Sequence, residues 1–186
     1  MSGADLSRVV AIVPVRSLSG AKSRLGEPLD PEERAELILA LLRRAVAAAL
    51  AARRLDGVAV VSRDAELLIQ ARAMGAASLL QESDGLNEGL SETRDVSACA
   101  EATAVLVLPA DLPAVSAEAI ERLIEAGVEA ARREPARPVV VLVPDRHGTG
   151  TNALLVAPPN AIEFRFGEGS RAAHAAEAIA AGAKNK

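Results

Sequence analysis

Three cations and no acid stand together in Arg16-Ser17-Leu18-Ser19-Gly20-Ala21-Lys22-Ser23-Arg24-Leu25-Gly26, in a chain that is acidic overall with 21 Lys and Arg against 25 Asp and Glu. Small residues around Gly20 would let backbone amides approach phosphate oxygens, and Lys22 and Arg24 would supply the countercharge. The segment is not a Walker loop, because Ala21 precedes Lys22 where Gly is required and Arg16 holds the earlier Gly position. Nor does it read G-x-G-x-x-G. A solvated basic loop is the competing reading, and the position directly after a strand brings the two level.

A second chemical candidate is Pro109-Ala110-Asp111-Leu112-Pro113. An Asp at the carboxyl end of a strand, in a turn fixed by prolines, suits Mg²⁺; its alternative role is to satisfy turn amides or cap the next helix. Ser116 already supplies a cap, which favours the metal. In Asp145-Arg146-His147-Gly148-Thr149-Gly150-Thr151-Asn152, Gly148 and Gly150 permit a backbone nest and Thr149 and Thr151 add hydroxyl donors for a phosphate or carboxylate. Eight polar residues exceed what a plain hairpin turn, the competing reading, requires. Phe166-Gly167-Glu168-Gly169-Ser170 leads into a helix whose first turn could hold an anion or could simply be capped. His174 lies four residues beyond Ser170 on the same helix face. Leu86-Asn87 could read a base or ribose, and His147 on its own reads as a solvated loop residue.

What the chain lacks narrows the chemistry. It has no Cys/His set at zinc spacing, no G-x-S-x-G elbow and no hydrolytic triad. Phosphate loops with one metal-binding Asp point to phosphoryl or nucleotidyl transfer, which runs on positioning and electrostatics. Two Phe, no Tyr and no Trp leave no stacking platform for single-stranded nucleic acid, and a net charge of −4 gives no global polyanion surface. The single cysteine, Cys99, cannot form an internal disulfide and reads as a core filler in a reducing cytosol. No basic-then-apolar leader and no apolar run of membrane-spanning length is present, so a cytoplasmic protein without membrane partners is expected.

The elements that must position these loops alternate regularly. Residues 9–15, 57–62, 77–80, 104–108, 138–143 and 152–157 read as short apolar or β-branched strands. Between them run helices: one opened by Asp30-Pro31-Glu32-Glu33 and striped by Leu37, Ile38, Leu41, Leu42, Ala45, Val46, Ala49 and Leu50, and others over 64–74, 90–102, from Ser116 through Ala131, and over 170–181. With 186 residues, no repeat and no linker, one domain is expected. Strand–helix alternation implies parallel pairing and right-handed crossovers, hence a three-layer α/β/α fold with a mostly parallel central sheet. Ligands bind outside the carboxyl ends of such strands, which selects the loops 16–29, 81–89, 109–115 and 145–151.

These motifs together resemble the guanylyltransferases of deazaflavin coenzyme F-420 biosynthesis, which join GTP to phosphoenolpyruvate or 2-phospho-L-lactate and release pyrophosphate. The resemblance covers nearly the whole chain. It rests on Val13-Pro14-Val15 followed by Ala21-Lys22-Ser23-Arg24-Leu25, on Asp111-Leu112-Pro113, on the run from Asp145 to Leu155, and on Phe166-Gly167-Glu168-Gly169-Ser170. It implies a Rossmann-like nucleotidyltransferase fold similar to that of the molybdenum-cofactor guanylyltransferases. By the same resemblance Lys22 and Arg24 hold the GTP triphosphate, Asn87 lies near guanosine, and Asp111 binds Mg²⁺. Thr151, Gly167 and Ser170 then cradle the three-carbon phosphate substrate. The Ala- and Arg-rich composition is similar to bacterial members, which the resemblance associates with phosphoenolpyruvate; 2-phospho-L-lactate, 3-phosphoglycerate or a molybdopterin are the alternative acceptors. The family continues past the last helix into a strand ending in an Asp-x-Asp-Thr-Pro-like segment, whereas this sequence ends at Lys184-Asn185-Lys186. A metal site that is incomplete or built differently, and a GTP-binding protein with impaired catalysis, are the corresponding expectations.

Overall fold

The computed structural model describes residues 4–15, 30–96 and 101–185. Lys22, Arg24 and Cys99 therefore lie outside the described residues. Strands β1 (Val9–Pro14), β2 (Gly57–Ser62), β3 (Ala77–Leu80) and β4 (Ala104–Val107) pair in parallel in the order β3-β2-β1-β4. The sheet continues through β6 (Thr151–Ala157), β5 (Val139–Pro144) and the two-residue β7 (Lys184–Asn185). Among the described strands only β6 runs against its neighbours, pairing antiparallel with both β4 and β5. The sheet is therefore mostly parallel, as the alternation implies.

Side chains on successive strand residues leave opposite faces, and both faces of the central strands β1 and β4 are covered. Val9, Ala11 and Val13 enter one core with Leu42, Leu67 and Ile120, while Val10 and Ile12 enter the other with Leu90, Phe164 and Ala178. The first core packs under α1 (Pro31–Ala51), α2 (Ala65–Ala73) and α4 (Ala117–Arg133); the second packs under α3 (Leu86–Asp95) and α5 (Ser170–Ala180). Three layers result, and the uninterrupted apolar character of β1 and β4 is the imprint of being buried from both sides.

The helix starts are those the capping residues mark. Asp30 and Glu33 form a reciprocal capping box, the Asp30 carboxylate accepting from the Glu33 amide at 2.8 Å. Asp64 and Ser116 accept from the amides of Glu66 and Ala119. Two expectations are corrected. The helix read over 90–102 starts earlier, at Leu86, and ends at Asp95. There the Gln81 side-chain amide donates to the Ser83 and Gly85 carbonyls, and Gly85 turns at φ 104° into the first helical residue. Further along, residues 145–150 are the loop of a β-hairpin between β5 and β6. Six residues can close an antiparallel pair but cannot carry a parallel crossover, which needs a dozen or more.

The chain leaves β1 toward β2 on one side, while β4 lies on the other. This is the topological switch point of the sheet, and the crevice it opens lies at the carboxyl ends of β1 and β4. The two strands stay together there: the Leu108 amide donates to the Ile12 carbonyl at 2.9 Å and the Ala110 amide to the Pro14 carbonyl at 3.4 Å. No described helix is long and apolar enough to cross a membrane.

Candidate functional site

Asp111 follows β4 immediately beyond this crevice and is exposed. The segment 16–29, which carries Lys22 and Arg24, follows Val15, the residue just past the neighbouring strand β1, whose amide donates to the Val61 carbonyl at 3.0 Å. Among the described residues no group of three or more His, Cys, Asp or Glu could hold a metal ion by itself. One exposed carboxylate fits Mg²⁺ all the same, because that ion keeps several waters and is commonly bound by one or two carboxylates together with substrate phosphates.

Because β6 is reversed, its first residue, Thr151, also sits at this edge, opposite Pro144 at the end of β5. The loop before it is braced from within. The Asp145 carboxylate accepts from the Thr149 amide at 2.9 Å, and the Gly148 amide donates to the Asp145 carbonyl at 3.0 Å. Backbone amides, Gly150 first and then Thr149 and Gly148, hold the Asp145 carboxyl below its ordinary range. The loop is also bound to the start of α5: the Arg171 amide donates to the Thr149 carbonyl at 3.1 Å, and the Arg171 guanidinium to the Gly148 carbonyl at 3.0 Å.

The entry to α5 depends on two glycines. Gly167 (φ 134°) and Gly169 (φ 68°) adopt backbone conformations costly for other residues, and Gly169 is the N-cap with no side-chain capping bond. Through these turns Ser170 becomes the first helical residue and is buried, its amide donating to the Gly167 carbonyl at 3.3 Å. The amides of Ser170, Arg171 and Ala173 already donate to the Gly167, Thr149 and Gly169 carbonyls, so what this helix start offers an anion is the positive end of its dipole rather than a row of free amides.

One turn into α5, His174 is fully buried. Its Nε2 accepts from the Arg165 backbone amide at 2.9 Å, and its Nδ1 lies 3.0 Å from Thr151 Oγ1. The Phe166 ring stands edge-on to the imidazole with centroids 4.7 Å apart. Burial, opposed by Glu177 and assisted by Arg165, pushes the imidazole pKa down to about 4. Glu177 accepts from Arg165 Nε at 3.0 Å and from the Glu163 amide at 3.4 Å, so the segment before α5 is tied to the helix on both sides of the ring. Asn87 closes the assembly from α3: Oδ1 accepts from the Phe166 amide at 2.7 Å and Nδ2 donates to the Phe166 carbonyl at 3.1 Å.

The fold thus gathers Asn87, Thr151, Gly167 and Ser170 into one network centred on His174, while Asp111 stands at the β4 end of the same sheet edge. Two features escape the sequence. The Asn87–Phe166 pair spans 79 positions and leaves no local signature. His174 is marked only by its helical spacing from Ser170, which places it on the face of Ser170 without revealing its two hydrogen bonds.

Solved structures that superpose on this three-layer α/β/α fold are nucleotidyltransferases. A CMP:2-keto-3-deoxy-manno-octonic acid synthetase complexed with CTP matches with a TM-score of 0.61 over 97% of this chain and 88% of its own, at 15% identity. A nucleotidyl transferase from Methanothermobacter matches with a TM-score of 0.54 over 79% and 70%, at 19% identity. Within that class the assignment narrows: the family model described as guanylyl transferase CofC like matches residues 9–186, and the chain belongs to this family. Relatives named phosphoenolpyruvate guanylyltransferase include that of Sphaerobacter thermophilus, 45% identical over 173 residues covering 93% of this chain and 80% of the relative. Another, from Rubrobacter xylanophilus, is 46% identical over 176 residues, covering 95% and 82%.

Proposed function

We propose that this enzyme transfers GMP from GTP to phosphoenolpyruvate, releasing pyrophosphate and forming enolpyruvoyl-diphospho-guanosine. The observation that carries the reading is the switch point between β1 and β4. The cationic segment begins at the end of β1 and Asp111 at the end of β4, while Thr151 and the start of α5 lie at the same sheet edge. The relatives' names supply the acceptor in this proposal; 2-phospho-L-lactate differs from it by one double bond.

In this reading Lys22 and Arg24 hold the GTP triphosphate. Asn87, whose amide keeps a second proton and a second lone pair beyond its Phe166 bonds, lies near guanosine. Thr151, Gly167 and Ser170 receive the acceptor at the positive end of α5. An oxygen of the acceptor phosphate attacks the α-phosphorus of GTP, the bond from that phosphorus to the bridging oxygen breaks, and pyrophosphate departs. A phosphate monoester has a second pKa of about 6 and is already anionic near neutral pH, so no general base is required. The obstacle is the approach of two polyanions. Lys22 and Arg24 offset that repulsion and the charge that collects on pyrophosphate. Asp111, with the substrate phosphates, would hold Mg²⁺, which supplies further countercharge when bound.

The test is Mg²⁺-dependent pyrophosphate release from GTP, with phosphoenolpyruvate and 2-phospho-L-lactate as acceptors in parallel. Release with phosphoenolpyruvate and little with the other is expected. Preference for 2-phospho-L-lactate would overturn the acceptor assignment, and GTP binding without release for either would overturn the proposed reaction.

A further inference from the structure

We infer that His174 acts as a positioning residue: held as the Nδ1–H tautomer, it makes the Thr151 hydroxyl an obligatory donor toward the acceptor's anionic group. The inference rests on the reading above that Thr151 contacts the acceptor. The argument begins with a group that has no choice. The Arg165 backbone amide can only donate, and it points at His174 Nε2 from 2.9 Å, so Nε2 must present its lone pair. The ring is fully buried and faces both Arg165 and Glu177, and its depressed pKa keeps it neutral above about pH 4. A neutral imidazole with a bare Nε2 carries its proton on Nδ1. That N–H points at Thr151 Oγ1, 3.0 Å away, so the threonine oxygen accepts.

The consequence falls on the remaining hydroxyl proton. It cannot be directed back at an N–H donor, and Thr151 Oγ1 has no other partner among the described residues. Thr151 is half-buried as the first residue of β6, at the carboxyl edge of the sheet. Its proton is therefore free for an anion arriving at that edge. With the opposite tautomer the hydroxyl would donate to the ring and turn only lone pairs toward the anion, repelling it. A backbone amide in the segment before α5 thus sets the polarity of a side chain on β6, with the buried imidazole transmitting the constraint.

Spectroscopy and kinetics on the full chain test this together. The chain has two histidines, so nitrogen-15 imidazole NMR of a His147→Gln background reports His174 alone. Protonated Nδ1 and bare Nε2, unchanged from pH 8 to 5.5, is the expected pattern; protonated Nε2 overturns the inference. In steady-state kinetics, Thr151→Val and His174→Phe should each raise the acceptor KM by about tenfold or more, the range for a hydrogen bond to a charged group, with a much smaller change in the KM for GTP. If His174 acts through Thr151, the double variant loses no more acceptor affinity than Thr151→Val alone; multiplying losses overturn the coupling. Should His174→Phe fail to fold, two smaller amides decide. His174→Asn keeps a donor near the Nδ1 position and should retain acceptor affinity. His174→Gln places its amide near the Nε2 position, where its oxygen can accept from the Arg165 amide while its NH2 no longer stands at the Nδ1 position facing Thr151, and should not; the reverse order overturns the inference. If Thr151→Val leaves the acceptor KM unchanged, the acceptor site itself is wrongly located and the inference falls with it. If Thr151→Val raises it while His174→Phe does not, the inference alone falls.

Discussion

Replacing His174 with Gln should flatten the pH dependence of folding stability, by an amount that follows from burial. The unfolded imidazole titrates near 6.5, whereas in the fold burial pushes its pKa down to about 4. The folded protein therefore binds that proton less readily than the unfolded chain does. The direction is fixed: stability is complete above pH 6.5, falls as pH drops toward 4, and has no further to fall below that. Taking both values at pH 5, the unfolded state gains about 2 kcal/mol relative to its position at pH 8. For a chain of this size that is a shift in Tm of about 4–8 °C. Urea unfolding of the natural protein and of His174→Gln at pH 8, 6.5 and 5 provides the measurement. Carboxylates whose pKa values are lowered in the fold, among them Glu177, Asp145 and Glu92, also weaken the protein in acid, but in both variants. The difference between the two curves isolates His174, and the natural protein should lose about 2 kcal/mol more than the variant between pH 8 and 5. Parallel curves would show that the buried imidazole takes up its proton without penalty, and would refute the burial argument.

Four further outcomes are expected. Asp111→Asn, at an exposed turn position, should leave the melting temperature within the scatter of surface substitutions while lowering turnover at least about a hundredfold; retained activity would rule Asp111 out of the metal site. Lys22→Ala should weaken GTP binding about tenfold in a direct titration, and an unaltered affinity would remove Lys22 from the triphosphate site. Asn87→Ala strands both the amide and the carbonyl of Phe166 and should cost about 1–3 kcal/mol in denaturant unfolding; a variant as stable as the natural protein would show that the pair does not anchor the segment before α5. Asp30→Ala breaks the capping box of α1 and should cost about 1 kcal/mol, readable by the same unfolding assay, with no loss indicating that Pro31 and Glu32 suffice to start the helix.

Much of this architecture is legible in local pattern. The apolar residues from Val9 to Val13 have no polar face, which already places β1 inside a layered sheet. Asp30, Asp64 and Ser116 each stand where a helix needs an acceptor for its first amides, and each helix begins there. The start of α3 is different. Gly85 offers no capping side chain, and the turn depends on Gln81 reaching the Ser83 and Gly85 carbonyls, so periodicity alone begins the helix too late. The direction of β6 is not written in its own residues, because an apolar strand reads the same in either direction; the six residues before it, too few for a parallel crossover, decide it.

The chemistry divides along the same line. Residue type and local spacing are enough to mark the cationic segment around Lys22, the Asp111 turn, the Thr149–Thr151 loop and the glycine-flanked entry to α5 as anion or metal candidates. Those properties reside in a few consecutive residues, so chain order carries them. Which candidates meet is settled by strand order and helix packing: β6 brings Thr151 to α5, and α3 brings Asn87 to Phe166 across 79 positions. The protonation pattern of His174 belongs wholly to the tertiary structure. A histidine in isolation can carry its proton on either nitrogen, and here the choice is made by a backbone amide nine positions before it that can only donate.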